Sequence, residues 1–317
     1  MHPRAAALVV SLVVTSATGC AHTVAPEDTV ASDAAVHVSA LSAEPPDAGG
    51  PHCIADPTFP SVLSVPEASA AAEVMLRPGV PELLVIADSE NHGKALAYAL
   101  PSGPARPLVL PLDPKVSDDT EGMAWYRGHV YILASTGYVE RFTPDGKGGL
   151  TRDGDAYGLG GSPYTSHGTF LLGTPPDFEG LCLRSPKARP GARCAGYAAS
   201  RAYGWLVCLQ WSSSGEKLRV DPHHPRLPLD LKRHTLSDCA FGDEDGPARD
   251  VLLVATNIFG GSTAYRVDEE TGALTSLDID GTPNDEAIAV DHDGRLYRLM
   301  DANSATSPST RATCTGW

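Results

Sequence analysis

An acidic motif recurs along this chain, and its residues are the ones best suited to chemistry. Its order is a polar residue, any residue, glutamate, a small residue, an apolar residue and a second small residue, and it occurs at residues 119–124, 177–182 and 284–289. Weaker copies at residues 67–70 and 237–240 follow the same order. Carboxylates can hold a hard cation or transfer a proton. The motif therefore predicts metal binding or acid–base chemistry.

The segments around each copy predict strands that would bring the motifs together. From residue 53 to residue 317, short β-rich apolar runs alternate with turns rich in glycine, proline and aspartate, without sustained helical periodicity. Each copy starts one run, and up to three more follow it in a unit of about 50 residues. Four strands per unit are typical of a propeller blade. Five copies therefore predict an all-β, five-bladed β-propeller, with six blades as the alternative.

The two ends of this domain are expected to close the ring. The last unit lacks an obvious fourth strand, whereas residues 53–65 form an apolar segment that belongs to no unit. We therefore predict that the N-terminal strand completes the final blade, with a Cys53–Cys314 disulfide across the closure. Pairing stays open for the four other cysteines of the domain, which are Cys182, Cys194, Cys208 and Cys239.

A propeller of this kind would gather the polar side chains at one mouth of its axial channel. The first strand of each blade lines the axis, and the second strand ends on the face where the first begins. The candidate metal ligands are therefore Glu67, Asp119, Glu121, Asp177, Glu179, Asp238, Asn284 and Glu286. Ligand-binding side chains are expected from the turns around this ring, namely Asp88, Asn91, His92, Arg201, Asn257 and Asp301.

Carboxylates that converge in this way need compensation. They repel one another, so some must take up protons, pair with cationic side chains or bind a cation. Oxygen ligands in this number suit calcium, which is the cofactor that the pattern predicts. The alternative is structural, because a carboxylate before a strand often accepts loop N–H groups and a small residue fits crowded inner strands. Glu121, Glu179 and His167, which lies before the second full copy, are the candidate catalytic groups.

The two copies at residues 119–124 and 177–182 resemble the Asp-x-Glu-Gly-x-Ala repeats of esterase-like phytase and related bacterial propeller proteins. The resemblance implies a propeller and calcium-assisted phosphoester hydrolysis, and only the acidic positions carry over. Two functions stay open: a propeller that binds a small molecule, glycan or protein, and a calcium-assisted phosphoesterase or esterase. Arg201 is the one basic residue expected in the ring, which favours binding, because phosphoryl chemistry would need positive charge beside the cation.

The N-terminus is typical of an exported lipoprotein. Residues 1–19 combine an arginine, a short apolar run and small residues in front of Cys20. Residues 17–20 resemble the bacterial lipobox, whose cysteine receives the lipid. Because alanine and not aspartate follows Cys20, the resemblance implies the outer membrane of a diderm bacterium. We expect a lipid-anchored protein of the cell envelope.

Composition completes this expected organisation. Residues 1–20 are the predicted signal peptide with its lipidated cysteine, residues 21–52 are a disordered tether rich in small and polar residues, and residues 53–317 are the propeller. A formal net charge of −15 argues against nucleic acid, which is bound through lysine and arginine. The expected contact with membrane is through the lipid anchor only.

Overall fold

Regular secondary structure consists of β-strands throughout the part of the chain that the structure describes. The structure is a computed structural model, and it describes residues 51–116, 118–160, 177–185, 187, 189–231, 234–258, 261–279, 285–300, 302 and 304–317. Among these residues, no helix has the length and apolar character needed to cross a membrane. Cys20 and the predicted tether as far as residue 50 lie outside the described residues.

The strands form five antiparallel sheets, which we call blades 1 to 5. Two short strands, β1 (His52–Ala55) and β2 (Val62–Leu63), precede blade 1. Blade 1 contains β3 (Ala68–Arg77), β4 (Val80–Ala87), β5 (Lys94–Ala99) and β6 (Ala105–Val109). Blade 2 contains β7 (Thr120–Tyr126), β8 (His129–Ala134), β9 (Tyr138–Pro144) and β10 (Leu150–Arg152), with β11 (Tyr157–Gly158) also paired to β9.

The remaining blades repeat this order. Blade 3 contains β12 (Phe178–Leu183), β13 (Gly196–Ser200), β14 (Trp205–Trp211) and β15 (Leu218–Val220), with β16 (Arg226–Pro228) also paired to β14. Blade 4 contains β17 (Thr235–Phe241), β18 (Leu252–Ile258), β19 (Gly261–Val267) and β20 (Leu274–Ser276). Blade 5 contains β21 (Asp285–Val290), β22 (Arg295–Met300) and β23 (Ser307–Thr315), followed by β1 as its outer strand.

The first strands of the blades form a closed ring around the axis. Each of β3, β7, β12 and β17 lies beside the first strand of the next blade, and β21 returns to β3. Apolar side chains fill the space between neighbouring blades, as where Leu84 and Ile86 of blade 1 meet Met123 and Ile132 of blade 2. The domain is therefore a five-bladed β-propeller, which confirms the predicted fold and excludes the six-bladed alternative.

Closure of the ring uses both ends of the described chain. Strand β1 pairs antiparallel with β23, which places Cys53 opposite Cys314, and a disulfide joins these two cysteines. Strand β2 pairs with the beginning of β23. In the loop-entropy model, a disulfide that closes so long a loop contributes more than about 4 kcal/mol. The predicted completion of the last blade by the N-terminal strand is confirmed.

Two further disulfides settle the pairing that the sequence left open. Cys182 and Cys239 connect β12 to β17, so this bridge joins the inner strands of blades 3 and 4. Cys194 and Cys208 connect the segment before β13 to β14 within blade 3. All six cysteines of the propeller are therefore oxidised, a state typical of exported proteins.

Candidate functional site at the axial mouth

A β-bulge occurs near the start of every inner strand. In each blade, two residues of the first strand lie opposite one residue of the second strand. The extra residues are Ser69, Glu121, Glu179, Ser237 and Glu286. A bulge bends the strand and redirects the side chain of the extra residue. The three glutamates of this set come from blades 2, 3 and 5, and their charges affect one another. The bulge is thus the device that gathers the motif carboxylates.

The small residue after the bulge has a packing role. A Cβ atom added to Gly122 would lie 2.4 Å from the backbone nitrogen of Leu181 in the next inner strand. A Cβ atom added to Gly180 would lie 2.4 Å from Oδ1 of Asp238 in β17, the inner strand of blade 4. Both contacts are too short for any side chain, so glycine allows the inner strands to approach. This part of the motif serves the fold.

Three carboxylates form the densest acidic cluster among the described residues. Asp88 follows β4 in blade 1, Asp119 precedes β7, and Glu121 is the bulge residue of blade 2. One oxygen from each carboxylate lies within 4.8 Å of the other two. The Ser135 hydroxyl donates a hydrogen bond to Asp119 and holds its side chain in place. Three oxygens from two blades fit part of a calcium coordination sphere.

Blade 3 supplies a second group of charges beside this cluster. Arg201 donates hydrogen bonds from Nε to Asp177 Oδ2 at 3.0 Å and from Nη1 to Glu179 Oε2 at 2.9 Å. The Glu179 side chain is only 2% exposed, and its Oε1 atom has no hydrogen-bond partner among the described residues. Arg201 is therefore a counter-ion for two carboxylates, and one buried carboxylate oxygen stays available for a cation or a donor.

The electrostatics of the mouth favour protonation or cation binding. Burial raises the pKa of Glu121, and the charges of Glu179, Asp88 and other nearby carboxylates raise it further. Burial also raises the pKa of Glu179, although the neighbouring Arg201 guanidinium acts in the opposite direction. Two carboxyl groups with raised pKa values within one channel are typical of functional sites.

A pH dependence of stability follows from these shifts. In the calcium-free protein, raising the pH from about 5 to about 8 is expected to lower the free energy of unfolding, because native Glu121 and Glu179 retain protons that the unfolded chain has released. Urea denaturation with a chelator measures this slope, and added calcium should reduce it. Glu121→Gln should also reduce it, which separates the effect from the Glu73–His292 pair, whose raised pKa values act in the same direction. An unchanged slope in Glu121→Gln would contradict the assignment.

Three further residues that the sequence predicted around the ring, Asn91, Asn257 and His92, form hydrogen bonds with acidic side chains. Asn91 Nδ2 donates to Glu67 Oε2 at 2.9 Å, and Asn257 Nδ2 donates to Glu286 Oε1 at 2.6 Å. Asn91 lies in the turn after β4 and Asn257 near the end of β18, so each brings an amide to a glutamate of another part of the chain. His92 is 84% exposed, and its Nδ1 lies 3.0 Å from Oδ2 of Asp118, a residue that the sequence did not single out.

The two weak copies of the motif place their acidic residues away from the bulge. In blade 1 the bulge residue is Ser69, two residues after Glu67, and in blade 4 it is Ser237, so that Asp238 takes the place of the small residue. Asp238 is buried, and its two oxygens accept backbone N–H groups of Cys239 and Ile288 at 2.7 and 2.8 Å. Burial raises its pKa, and the charges of Glu286 and Glu179 contribute to raising it further. Asp238 therefore ties inner strands together, and its role as a metal ligand stays a prediction.

Three other predicted residues, His167, Asn284 and Asp301, lie outside the described residues. Sequence reasoning also missed a charged pair near the axis, in which Arg298 of β22 forms a salt bridge with Asp285, both side chains being almost fully buried. Burial lowers the pKa of Arg298 to about 10, which still leaves it charged at neutral pH. A buried arginine between strands gives no signal in a single sequence.

Two cavities lie away from the axial carboxylates. One, of about 830 Å³, is at the opposite end of the inner strands, where Met75, Trp125, Phe241 and His292 contribute to its lining. The other, of about 410 Å³, lies beside blades 3 and 4. The largest cavity and the acidic cluster therefore indicate different positions for a functional site. We give more weight to the axial mouth, because it contains the carboxyl groups with raised pKa values and Glu179 Oε1, which has no hydrogen-bond partner among the described residues.

The described part of this chain is a five-bladed β-propeller with an acidic axial mouth. No protein-family model and no curated protein sequence matches it. Solved structures that resemble it include a glutaminyl cyclase of Myxococcus xanthus, at 12% identity and a TM-score of 0.49, covering 83% of this chain and 98% of that one. A luciferin-regenerating enzyme has 10% identity and a TM-score of 0.44, covering 80% and 95%. At these values neither likeness informs function.

Proposed function

We propose that this chain is a lipid-anchored cell-envelope protein whose propeller binds a ligand through the acidic axial mouth, with calcium held by Asp88, Asp119 and Glu121. The observation that carries the proposal is the approach of these three carboxylates to within 4.8 Å of one another. Like charges so close need protons or a cation, and calcium accepts carboxylate oxygens in flexible geometry. Glu179 Oε1, buried and without a partner among the described residues, is suited to complete the sphere.

Binding is favoured over hydrolysis by the pairing of Arg201 at the mouth. Arg201 is paired with Asp177 and Glu179, so its charge is already balanced. Phosphoryl transfer would need positive charge next to the cation to stabilise the transition state. A calcium-assisted phosphoesterase or esterase is the second candidate, because a carboxyl with a raised pKa, such as Glu179, is suited to general acid catalysis.

Export to the cell envelope is supported by the cysteines of the propeller. Three disulfides use all six of them, which suits an oxidising compartment outside the cytoplasm. Cys20 is the one further cysteine of the sequence, and it ends the predicted signal peptide. The proposed role of that cysteine is to carry the lipid, so that the propeller stays attached by a tether.

The test is to measure thermal melting of the full chain with calcium, with magnesium and with chelator. Calcium at a hundredfold excess over its Kd should stabilise the protein by about 2.7 kcal/mol, and magnesium should stabilise it less because it demands stricter geometry. If calcium does not raise the melting temperature, the proposed calcium site is wrong. Phosphate-ester and lactone substrates are then screened, and calcium-dependent turnover that is lost in both Glu121→Gln and Glu179→Gln would select the hydrolase.

A further inference from the structure

An arginine-rich cavity of about 410 Å³ lies between the outer part of blade 3 and the turn that joins β19 to β20 in blade 4. It shares no lining residue with the axial carboxylates. Its cationic lining consists of Arg184, Arg189, Arg193 and Arg226, with His224 nearby. Glu269 and Glu270 are the acidic residues of the lining, and Asp250 forms a salt bridge with Arg184, so this group of residues has an excess of one positive charge when the histidine is neutral. The whole chain, in contrast, carries −15.

One side of the cavity already binds a carboxylate of the protein itself. Glu269 accepts hydrogen bonds from Arg184, from Arg189 Nη1 at 3.2 Å and from the Tyr197 hydroxyl at 2.9 Å. Arg184 is buried, and its Nε lies 2.6 Å from Asp250 Oδ1. These charges balance one another. They do not involve Arg193 and Arg226, the two other arginines of the lining.

Two arginines of the lining, Arg193 and Arg226, have no carboxylate within salt-bridge distance among the described residues, and both are exposed. The guanidinium carbon of Arg226 lies 4.0 Å from the centroid of the Trp205 ring, a cation–π contact that favours this position of the side chain. Arg193 precedes Cys194, whose disulfide to Cys208 attaches the backbone of this segment to β14. Both guanidinium groups are therefore accessible to a ligand, and neither forms a salt bridge within the described part of the chain.

We propose that this cavity binds a small molecule that carries phosphate or carboxylate groups, with Arg193 and Arg226 as the recognising residues. Guanidinium groups match the geometry of both oxyanions through paired N–H donors. The volume lies in the range of small-molecule sites, roughly 300 to 1,000 Å³. Four arginines lie in the lining, so an anionic ligand fits the cavity better than a neutral, lipid-like one.

The experiment is isothermal titration of the full chain at low ionic strength with two separate probes, inorganic phosphate and succinate. Saturable binding of at least one probe is expected, and the stronger probe identifies the oxyanion. The double variant Arg193→Gln/Arg226→Gln should weaken that binding by at least about tenfold, because each lost charged hydrogen bond costs about 1.5 kcal/mol or more. Arg219→Gln is the matched control, since Arg219 is exposed on β15 of the same blade and outside the cavity.

Further variants keep the test decisive. Arg226→Lys retains the charge but loses the planar pair of donors, so it should bind more weakly than wild type while melting at the same temperature. Glu121→Gln and chelator should leave anion binding unchanged, which separates this site from the axial mouth. The proposal is overturned if neither probe binds saturably to the wild type, or if the folded double variant binds as tightly as the Arg219→Gln control.

Discussion

Glu121→Gln is expected to remove most of the calcium-dependent rise in melting temperature and to stabilise the calcium-free protein. In the proposed site, Glu121 is one of three carboxylates and the one that burial and neighbouring charges affect most. Without a cation it keeps a proton that the unfolded chain has released at neutral pH, and a permanently neutral amide avoids that cost. With calcium in hundredfold excess over the wild-type Kd, the loss should amount to roughly 2 to 3 kcal/mol of linked stabilisation.

Melting with calcium and with chelator measures both effects in one series. Glu216→Gln is the matched control, because it makes the same chemical change at an exposed residue in the turn between β14 and β15. Glu179→Gln tests the remaining oxygen of the proposed sphere and should weaken calcium binding without removing the three-carboxylate cluster. Undiminished calcium stabilisation in Glu121→Gln would show that the ion, if bound, lies elsewhere.

Removing Arg298 is expected to cost more stability than any other single substitution considered in the propeller. Arg298→Met would leave Asp285 buried without its counter-charge, which typically costs about 3 to 5 kcal/mol. The equivalent positions in two other blades are apolar: Phe178 and Leu236 match Asp285 in blades 3 and 4, and Val254 matches Arg298 in blade 4. The double variant Asp285→Leu/Arg298→Met is therefore expected to recover wild-type stability or to exceed it.

Urea denaturation of the wild type, both single variants and the double variant gives the coupling energy directly. Arg219→Met is the control, because Arg219 is exposed on β15 and forms no salt bridge among the described residues, so its loss should change the free energy of unfolding by less than about 1 kcal/mol. Two outcomes would contradict the interpretation. One is a loss of less than about 1 kcal/mol in Arg298→Met, and the other is a double variant as unstable as that single variant.

The fold was predictable because a short motif recurs along the sequence at the start of each blade. Each blade starts with a motif that contains a small residue, and residues such as Gly122 and Gly180 are required wherever two inner strands touch. The segment around Cys53 had no partner of its own, so the ring could close only with the strand that carries Cys314. These are properties of spacing and residue size, which one chain displays without an alignment.

The rest depends on contacts between blades, which the spacing does not encode. The bulge in blade 4 assigns the axial position to Ser237 and moves Asp238 between strands, a shift that two small polar residues in sequence do not reveal. The Arg298–Asp285 pair and the Cys182–Cys239 bridge each require two residues that are distant in sequence or in different blades. Sequence reasoning therefore predicted that carboxylates converge, as Asp88, Asp119 and Glu121 do, but not which acidic residues lie between strands.

The closure of blade 5 makes folding of the propeller depend on its last strand. Synthesis delivers the N-terminus first, so β1 emerges long before β23, the strand it must pair with. Until then the nascent ring has an unpaired edge, which invites aggregation or a wrong partner. Only chains that include β23 can form the Cys53–Cys314 bond. Its oxidation therefore reports a closed ring, and chains truncated before β23 should be more sensitive to proteases.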